Sequence, residues 1–325
     1  MRMLAYILRR VIQLLIVLVV VGVVAFLLIH LAPGDPAAVM LGSNATQDQV
    51  ERLRQQLALD QPLPVQFVAW SSRVLRGDLG ISHFAQKPVL QVLAQRAEPT
   101  LILTTMSILV AVLIGVPTGI VAAIRRGTAV DQAALAMALL GASVPSFWLG
   151  LSLILYFAVR LGWFPSSGIL PLAGGGLESL RYYVLPALAL GFPNSALITR
   201  ITRSSMLDVL QQDYVRTAAS KGLAFSRVIF RHALRNALVP IITVVGLTIA
   251  SLMGGAVVTE TVFSIPGVGR LVVQSVLRRD YPVIQAAILL VATIYVLVNL
   301  MVDLIYAWAD PRIRYVEETS HGAPS

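Results

Sequence analysis

Six long stretches of the chain lack charged side chains, and the segments between them carry almost all of the charge. A helix needs about 20 apolar residues, each rising about 1.5 Å, to cross a lipid bilayer. The six stretches reach or approach that length, and the fourth is the weakest. The pattern predicts an all-α integral membrane protein with about six transmembrane helices, at 11–29, 99–124, 132–159, 182–199, 236–259 and 281–302.

The longest polar interruption, at 32–98, separates the first two stretches. It opens with the turn-forming sequence Pro33-Gly34-Asp35-Pro36, and Thr46 with Gln49 has the spacing of a capping box. Its charges are of mixed sign, as on a solvated surface. We interpret the region as a small packed cap outside the membrane, a role compatible with docking a partner. Periodicity predicts three short helices there, at 47–58, 65–75 and 89–97.

Composition supports the membrane interpretation. The chain of 325 residues is 57% hydrophobic and 13% charged, whereas soluble domains carry roughly 25% charged residues. So apolar a chain cannot cover itself with polar groups, and lipid must therefore be part of its solvent. The first stretch is longer than the apolar core of a signal peptide and lacks a clear cleavage site, which favours an uncleaved span over a leader.

The net charge of +9 would also suit a nucleic-acid-binding protein, but its distribution favours a membrane protein. With the N-terminus in the cytoplasm, basic residues concentrate on the inner side, as the positive-inside rule requires. We therefore predict two cytoplasmic termini and no nucleic-acid partner. Fourteen basic residues then lie inside, at positions 2, 9, 10, 125, 126, 200, 203, 216, 221, 227, 231, 235, 312 and 314, and five lie in short outer loops, at 160, 181, 270, 278 and 279.

A polar segment at 201–235, too charged to cross the membrane, separates the fourth and fifth spans. Asp213 is placed to cap a short helix over 214–221, with Lys221 in its last turn and Gly222 just beyond its end. Downstream, arginines recur every four residues at 227, 231 and 235. That basic stripe alone indicates only a helix lying on anionic headgroups.

Two glycine-containing loops face outward in this topology. The triplet at 174–176 is not followed by Gly-Lys-Ser or Gly-Lys-Thr, so we interpret it as a flexible loop and not as a phosphate-binding loop. Before the last span, Pro266-Gly267 suits the centre of a type II turn. This apolar loop is either a simple tight connection or a segment that folds back toward the membrane.

Several absences narrow the function. The predicted spans contain no ionisable side chain near their midpoints, which disfavours a channel or gradient-driven transporter. The motifs of metalloproteases and serine hydrolases are missing, which disfavours a membrane-bound enzyme. The chain has no cysteine and only four histidines. We predict no catalytic residue, no metal site and no cofactor in this chain, whose energy source must then lie elsewhere.

The segment at 214–240 resembles the signature loop of ABC-importer permeases, described as Glu-Ala-Ala, three residues, Gly and later Leu-Pro. The stretches that carry the resemblance are YVRTAASKGL at 214–223 and HALRNALVP at 232–240. Further segments narrow it to the first permease subunit of dipeptide and oligopeptide importers. These are APGDP at 32–36, GDLG at 77–80 and FSIPGVG at 263–269. Thr217 replaces the motif's Glu, and Val239 replaces Leu before Pro240, which weakens any charge-based contact carried over to position 217.

The resemblance implies a type I ABC importer permease in the bacterial inner membrane. Implied partners are a second homologous permease, two cytoplasmic ABC ATPase subunits or domains that use ATP and Mg, and an extracytoplasmic substrate-binding protein. The implied ATPase-coupling residues are Asp213, Thr217, Ala218, Ala219, Lys221 and Gly222. The implied organisation is a cytoplasmic N-terminus with the first span at 1–31, an outer region at 32–98, the permease domain at 95–307 and a cytoplasmic tail at 308–325.

The cargo stays open between peptides and the nickel or glutathione that related permeases carry. Uncharged polar side chains within or beside the spans are candidates to line the pathway. They would solvate a peptide backbone without reading its side chains, although Ser and Asn also mediate helix packing. These candidates are Ser143, Asn194, Ser195 and Asn299.

Overall fold

The structure is a computed structural model that describes residues 2–31, 36–41, 45–56, 59–170 and 175–309. Within these ranges the regular structure is helical, apart from one isolated bridge between Ile81 and Pro88. The predicted turn at 33–35, Gly174 and the tail from 310 onward lie outside the described residues. The helices are α1 (Arg2–Leu31), α2 (Pro36–Leu41), α3 (Gln47–Gln56), α4 (Leu63–Leu75), α5 (Val89–Ile124), α6 (Ala129–Ser143), α7 (Ser146–Arg160), α8 (Leu177–Leu210), α9 (Asp213–Ser220), α10 (Phe225–Val262), α11 (Val268–Leu277) and α12 (Tyr281–Ala309).

Five described helices are long and apolar enough to cross a membrane by themselves: α1, α5, α8, α10 and α12. The third predicted span is not straight, because α6 and α7 meet at an angle of 96°. The break falls at Val144 and Pro145. Val144 has the extended conformation (φ −82°, ψ 122°) that a following proline favours, and Pro145 has no N–H to continue the helix. Counting the bent pair as one span gives the predicted six.

Helix α8 explains why the fourth stretch looked weak as a span. It is 34 residues long, and 56% of its most apolar window is buried within the protein, against 22% for α1. It packs against α6, α7 and α10. A helix surrounded by other helices needs less apolar surface than one facing lipid, so its moderate polarity follows from its central place.

Helices α5 and α8 approach each other closely through two glycines. A Cβ added at Gly119 would lie 2.6 Å from the Thr202 Cβ and 2.7 Å from the Thr199 carbonyl oxygen. A Cβ at Gly115 would lie 2.8 Å from the Ile198 Cβ. The Gly-x-x-x-Gly spacing puts both glycines on one face, where the absence of side chains lets two membrane helices touch.

The chain divides into two compact units. The first comprises 1–101 and 265–297, and in it α4 packs onto α1. The Phe26 ring on α1 lies 5.4 Å from Phe67 and 5.8 Å from Trp70, both on α4, and His30 Nε2 lies 2.8 Å from Gln66 Oε1. The observed packing agrees with the interpretation of this region as a packed cap.

The helices of the cap differ in part from their predictions. The helix predicted at 47–58 is α3, and the backbone N–H of Thr46 donates to the Gln49 side chain, which is half of the predicted capping box. The helix predicted at 65–75 is α4. The third, at 89–97, is not separate, because α5 runs unbroken from Val89 to Ile124. Val89, Val92 and Leu93 in the first turns of α5 pack against α11 and α12, and this packing stabilises the segment as part of the longer helix.

The loop before the last span also differs from its prediction. Gly267 has an extended backbone (φ −96°, ψ −177°), so Pro266-Gly267 is not the centre of a type II turn, which needs a positive φ at the second position. The positive φ falls on Ser264 instead (+55°). Gly267 directly precedes α11, a short apolar helix, and the Val268 N–H donates to Thr100 Oγ1 at 2.8 Å.

Candidate functional site

Helix α9 and the turn behind it form the element that carries the predicted coupling residues. The helix begins at Asp213, one residue earlier than predicted, so Asp213 is its first residue and not its cap, and Gln212 accepts the first backbone hydrogen bonds. The Thr217 hydroxyl donates to the Asp213 carbonyl at 2.9 Å. Lys221 N–H donates to the Thr217 carbonyl at 3.1 Å, which closes the last turn. Gly222 follows with φ +73°, the left-handed conformation predicted for the residue beyond the helix end.

The two faces of α9 differ sharply. Val215 and Ala218, one turn apart, are only 4% and 8% exposed, and α9 packs on the π-helical start of α10, at Val228–Ala233. Tyr214, Arg216 and Thr217 are exposed. Ala218 therefore contacts this chain itself, and a partner approaching α9 would meet the polar face. The side chain of Ala219 lies outside the described residues.

An apolar cluster includes the turn of α10 on which α9 packs. Met206 near the end of α8 and Ile229 at the start of α10 are fully buried in it, together with Ile120 and Ala123 at the end of α5. These residues join three membrane helices at the ends nearest α9. Because α9 packs on α8 and on the Val228–Ala233 turn, which contributes Ile229 and Ala233 to the cluster, a displacement of α9 would act on this packed group.

The basic stripe borders this cluster. Arg227, Arg231 and Arg235 are all exposed, while Ile229 and Ala233 between them are buried. The π-helical turn at Val228–Ala233 shifts the register of α10 at this point. The stripe therefore adds an exposed positive surface to the part of α10 on which α9 packs.

A buried ion pair, which the sequence analysis missed, lies in the same unit of the structure. Arg203 on α8 donates from Nε to Asp131 Oδ1 at 2.6 Å and from Nη2 to Oδ2 at 2.8 Å. Asp131, in the first turn of α6, is 3% exposed. In the sequence, each of the two residues lies close to an uncharged stretch and so indicates only where a membrane span ends. No motif or periodicity in the sequence indicates that Asp131 and Arg203, 72 residues apart, are in contact.

A second buried carboxylate was also missed. Asp280, 3% exposed, accepts hydrogen bonds from the Ser82 hydroxyl at 2.5 Å and from the backbone N–H groups of His83 and Phe84 at 3.3 Å. The Arg278 guanidinium lies 3.5 Å from the centre of the Phe84 ring. These contacts hold the loop before α5 against the start of α12.

The four pathway candidates occupy different environments. Ser143 is exposed at the end of α6 and donates to the Leu139 carbonyl. Asn194 and Ser195 on α8 donate to the carbonyls of Leu190 and Phe192, at 2.8 and 2.7 Å. Asn299, on α12, is half-buried. After these bonds to the backbone of their own helix, Ser143 and Ser195 keep only acceptor capacity, whereas Asn194 keeps one N–H donor and its carbonyl acceptor.

Comparison with known proteins identifies the family. Residues 115–315 match the binding-protein-dependent transport system inner membrane component, and residues 3–104 match the N-terminal part of such membrane components. The chain belongs to this family. It is accordingly a multi-pass inner membrane protein and a permease component of a transport system.

Individual relatives agree over nearly their whole length. The chain is 49% identical to a probable peptide ABC transporter permease of Sinorhizobium fredii, covering 95% of this chain and 99% of that one. It is 45% identical to a glutathione transport system permease protein of Escherichia coli, covering 96% and 100%. The fold resembles that of the inward-facing MetNI methionine ABC transporter, with a TM-score of 0.56, 18% identity and coverage of 68% of this chain and 97% of that one.

Proposed function

We propose that the chain forms half of the translocation pathway of an ATP-driven importer for dipeptides and oligopeptides. The observation that carries the proposal is α9: a short helix with one face packed on the membrane helices, an exposed polar face and a left-handed glycine at its end. Such an element can receive a push from a soluble partner and pass it to the spans. The peptide relative, at 49% identity, supports the cargo.

The proposed assembly has four kinds of component. A second, homologous permease completes the pathway, two cytoplasmic ABC ATPase subunits or domains bind ATP and Mg, and an extracytoplasmic binding protein delivers the cargo. In this chain the exposed face of α9, with Asp213, Thr217, Ala219, Lys221 and Gly222, forms the ATPase contact, and Ala218 supports it from the inner face of the helix. The loop at Pro266 and Gly267 lies on the outer side, the region at 32–98 is extracytoplasmic, 95–307 is the permease domain, and 1–31 and 308–325 place both termini inside.

The test is assembly followed by transport. The tagged chain is co-expressed with the permease and ATPase genes beside its own, and the purified assembly is placed in proteoliposomes. We expect ATPases to co-purify, and a labelled dipeptide to accumulate only with ATP and the binding protein. Uptake driven by an ion gradient without ATP would contradict the proposal and favour a gradient-driven transporter.

Glutathione is the second candidate cargo, because a glutathione permease is 45% identical over nearly the whole chain. Competition separates the two. We expect a tenfold excess of unlabelled dipeptide to suppress uptake of the labelled dipeptide, and the same excess of glutathione to leave it largely intact. Suppression by glutathione but not by the unlabelled dipeptide would identify glutathione as the cargo. Nickel, the remaining alternative, is tested by measuring its uptake in the same vesicles.

The proposed topology predicts opposite labelling of two exposed positions. The absence of native cysteine makes single-cysteine variants specific. In intact cells we expect Lys87→Cys to react with an impermeant maleimide and Ser220→Cys to react only after the membrane is opened. Both side chains are exposed in the structure, so burial would not explain a lack of reaction. If Ser220→Cys reacted in intact cells and Lys87→Cys did not, the protein would have the opposite orientation in the membrane.

The pathway candidates predict permissive transport. Ser143, Asn194, Ser195 and Asn299 are uncharged, and a fixed charge is what would separate acidic from basic peptides. With the binding protein saturated, we expect acidic, neutral and basic peptides of equal length to be transported at similar rates per ATP. Rates that differ by more than roughly tenfold, about 1.4 kcal/mol, would show that the permease itself reads side-chain charge.

A further inference from the structure

The ion pair between Asp131 and Arg203 joins three parts of the second unit, which comprises 102–264 and 298–325. Both carboxylate oxygens accept hydrogen bonds from the guanidinium, at 2.6 and 2.8 Å, a two-point contact that fixes orientation as well as distance. The same carboxylate accepts the backbone N–H of Gly127 at 2.9 Å. One side chain thus binds α6, the α5–α6 turn and α8 together.

The position of the pair along α8 links it to α9. Arg203 lies about two helical turns before the end of α8, and only two residues separate that end from the start of α9. Met206, one turn after Arg203, is fully buried in the apolar cluster that includes the turn of α10 on which α9 packs. Any displacement of α9 therefore reaches α8 beside the ion pair.

Stability alone gives little reason to keep charges at this place. Taking the Asp131 carboxylate, and in part the Arg203 guanidinium (22% exposed), out of water costs desolvation energy that their attraction often only offsets, and apolar replacements are frequently as stable. Unlike an apolar contact, the charged pair fixes the relative orientation of α8 and the start of α6, because two hydrogen bonds join them. The hydrogen bond from Gly127 holds the α5–α6 turn to the same carboxylate. Loss of this fixed orientation should impair the transmission of movement from α9 to the membrane helices more than it impairs folding.

We propose that Asp131 and Arg203 are positioning residues that clamp the α5–α6 turn to α8, so that α5, α6 and α8 move as one body when α9 is displaced. The inference rests on the proposed function, because it assigns the pair to the coupling between ATP hydrolysis and transport. Neither residue contacts the ATPase or the cargo in this account. Both act through the helices that they hold.

The experiment measures peptides imported per ATP hydrolysed in the reconstituted assembly. The variants are Asp131→Asn, Arg203→Gln, Arg203→Lys and the double variant Asp131→Asn/Arg203→Gln. We expect each of the two neutralising single variants to lower the ratio about tenfold while ATPase subunits still co-purify and binding protein still stimulates hydrolysis. Arg203→Lys keeps the charge but loses the two-point contact, so a smaller loss, roughly threefold, is expected.

The double variant separates positioning from simple loss of charge. It leaves no unpaired ion, so we expect its ratio to exceed the product of the two single effects. Glu51→Gln is the matched control, since it breaks an exposed ion pair with Arg54 (3.3 Å, side chains 52% and 40% exposed) and should leave the ratio unchanged.

Two results would overturn the clamp. One is an unchanged ratio in the neutralising variants at equal amounts of assembled protein. The other is failure of every variant, Arg203→Lys included, to insert and co-purify, since the pair would then serve folding and not coupling. A wild-type assembly that shows no ATP-dependent uptake would instead refute the proposed function, and the clamp with it.

Discussion

Gly222→Val is expected to leave the protein inserted in the membrane but to abolish stimulation of the ATPases by binding protein and cargo. Gly222 has φ +73°, where a β-branched side chain clashes with its own backbone. Holding such a residue there costs on the order of 1–3 kcal/mol, so the chain turns elsewhere and α9 loses its orientation. No neighbouring atom lies within 4 Å of an added Cβ, so the effect comes from the backbone and not from crowding.

Two controls isolate that cause. Gly222→Asn should retain most of the stimulation, because asparagine tolerates the left-handed conformation far better than valine. Gly162→Val introduces a comparable strain at φ +65° in the loop between α7 and α8, which belongs neither to the proposed ATPase contact nor to the Asp131–Arg203 clamp, and an added Cβ there has no neighbour within 4 Å. The measurement is ATP hydrolysis in proteoliposomes with and without loaded binding protein. Full stimulation in Gly222→Val would remove α9 from the coupling path.

Gly119→Val is expected to prevent stable folding of the permease, and Gly119→Ala to destabilise it by about 1–3 kcal/mol, the usual cost of overpacking. An alanine Cβ at position 119 would meet the Thr202 Cβ at 2.6 Å and the Thr199 carbonyl oxygen at 2.7 Å. A backbone oxygen cannot move aside without the helix, so α5 and α8 must separate. That separation would open the close contact between α5 and α8 in the second unit.

Gly254 provides the matched control for this contact. It lies in α10, another apolar membrane helix, and an added Cβ there has no neighbour within 4 Å. Gly254→Ala and Gly254→Val should therefore express and melt like the wild type. Thermal unfolding followed by size-exclusion chromatography in detergent gives the comparison. Equal melting of Gly119→Ala and Gly254→Ala would show that α5 and α8 are not in close contact at position 119.

The sequence predicted the spans well because solvation by lipid acts on each segment separately. Uncharged stretches of about 20 residues must cross or be buried, whatever their neighbours are. The same local logic predicted the short helix at 214–221 and the left-handed glycine at its end, since capping and φ preference act within a few residues. The third short helix of the cap was predicted wrongly as a separate element, because burial by α11 and α12 lets α5 continue through it.

Several features of the candidate site depend on contacts between distant segments. Ala218 matches a motif position, but its inward direction is set by the packing of α9 on α10. The glycine spacing at 115 and 119 is visible in the sequence and indicates a helix contact. Its partner residues on α8, Thr199 and Thr202, are known only from the folded chain.

The sequence by itself determined that this is a helical membrane protein with about six spans, a short helix and glycine between the fourth and fifth, and the motifs of its family. Those properties follow from hydrophobicity and backbone preference, which act over one turn or one span. Tertiary structure alone decided the pairing of Asp131 with Arg203 and the contact of the Ser82 loop with Asp280. A charge at the edge of a span has many possible partners, and only the packing of whole helices brings one of them within hydrogen-bonding distance.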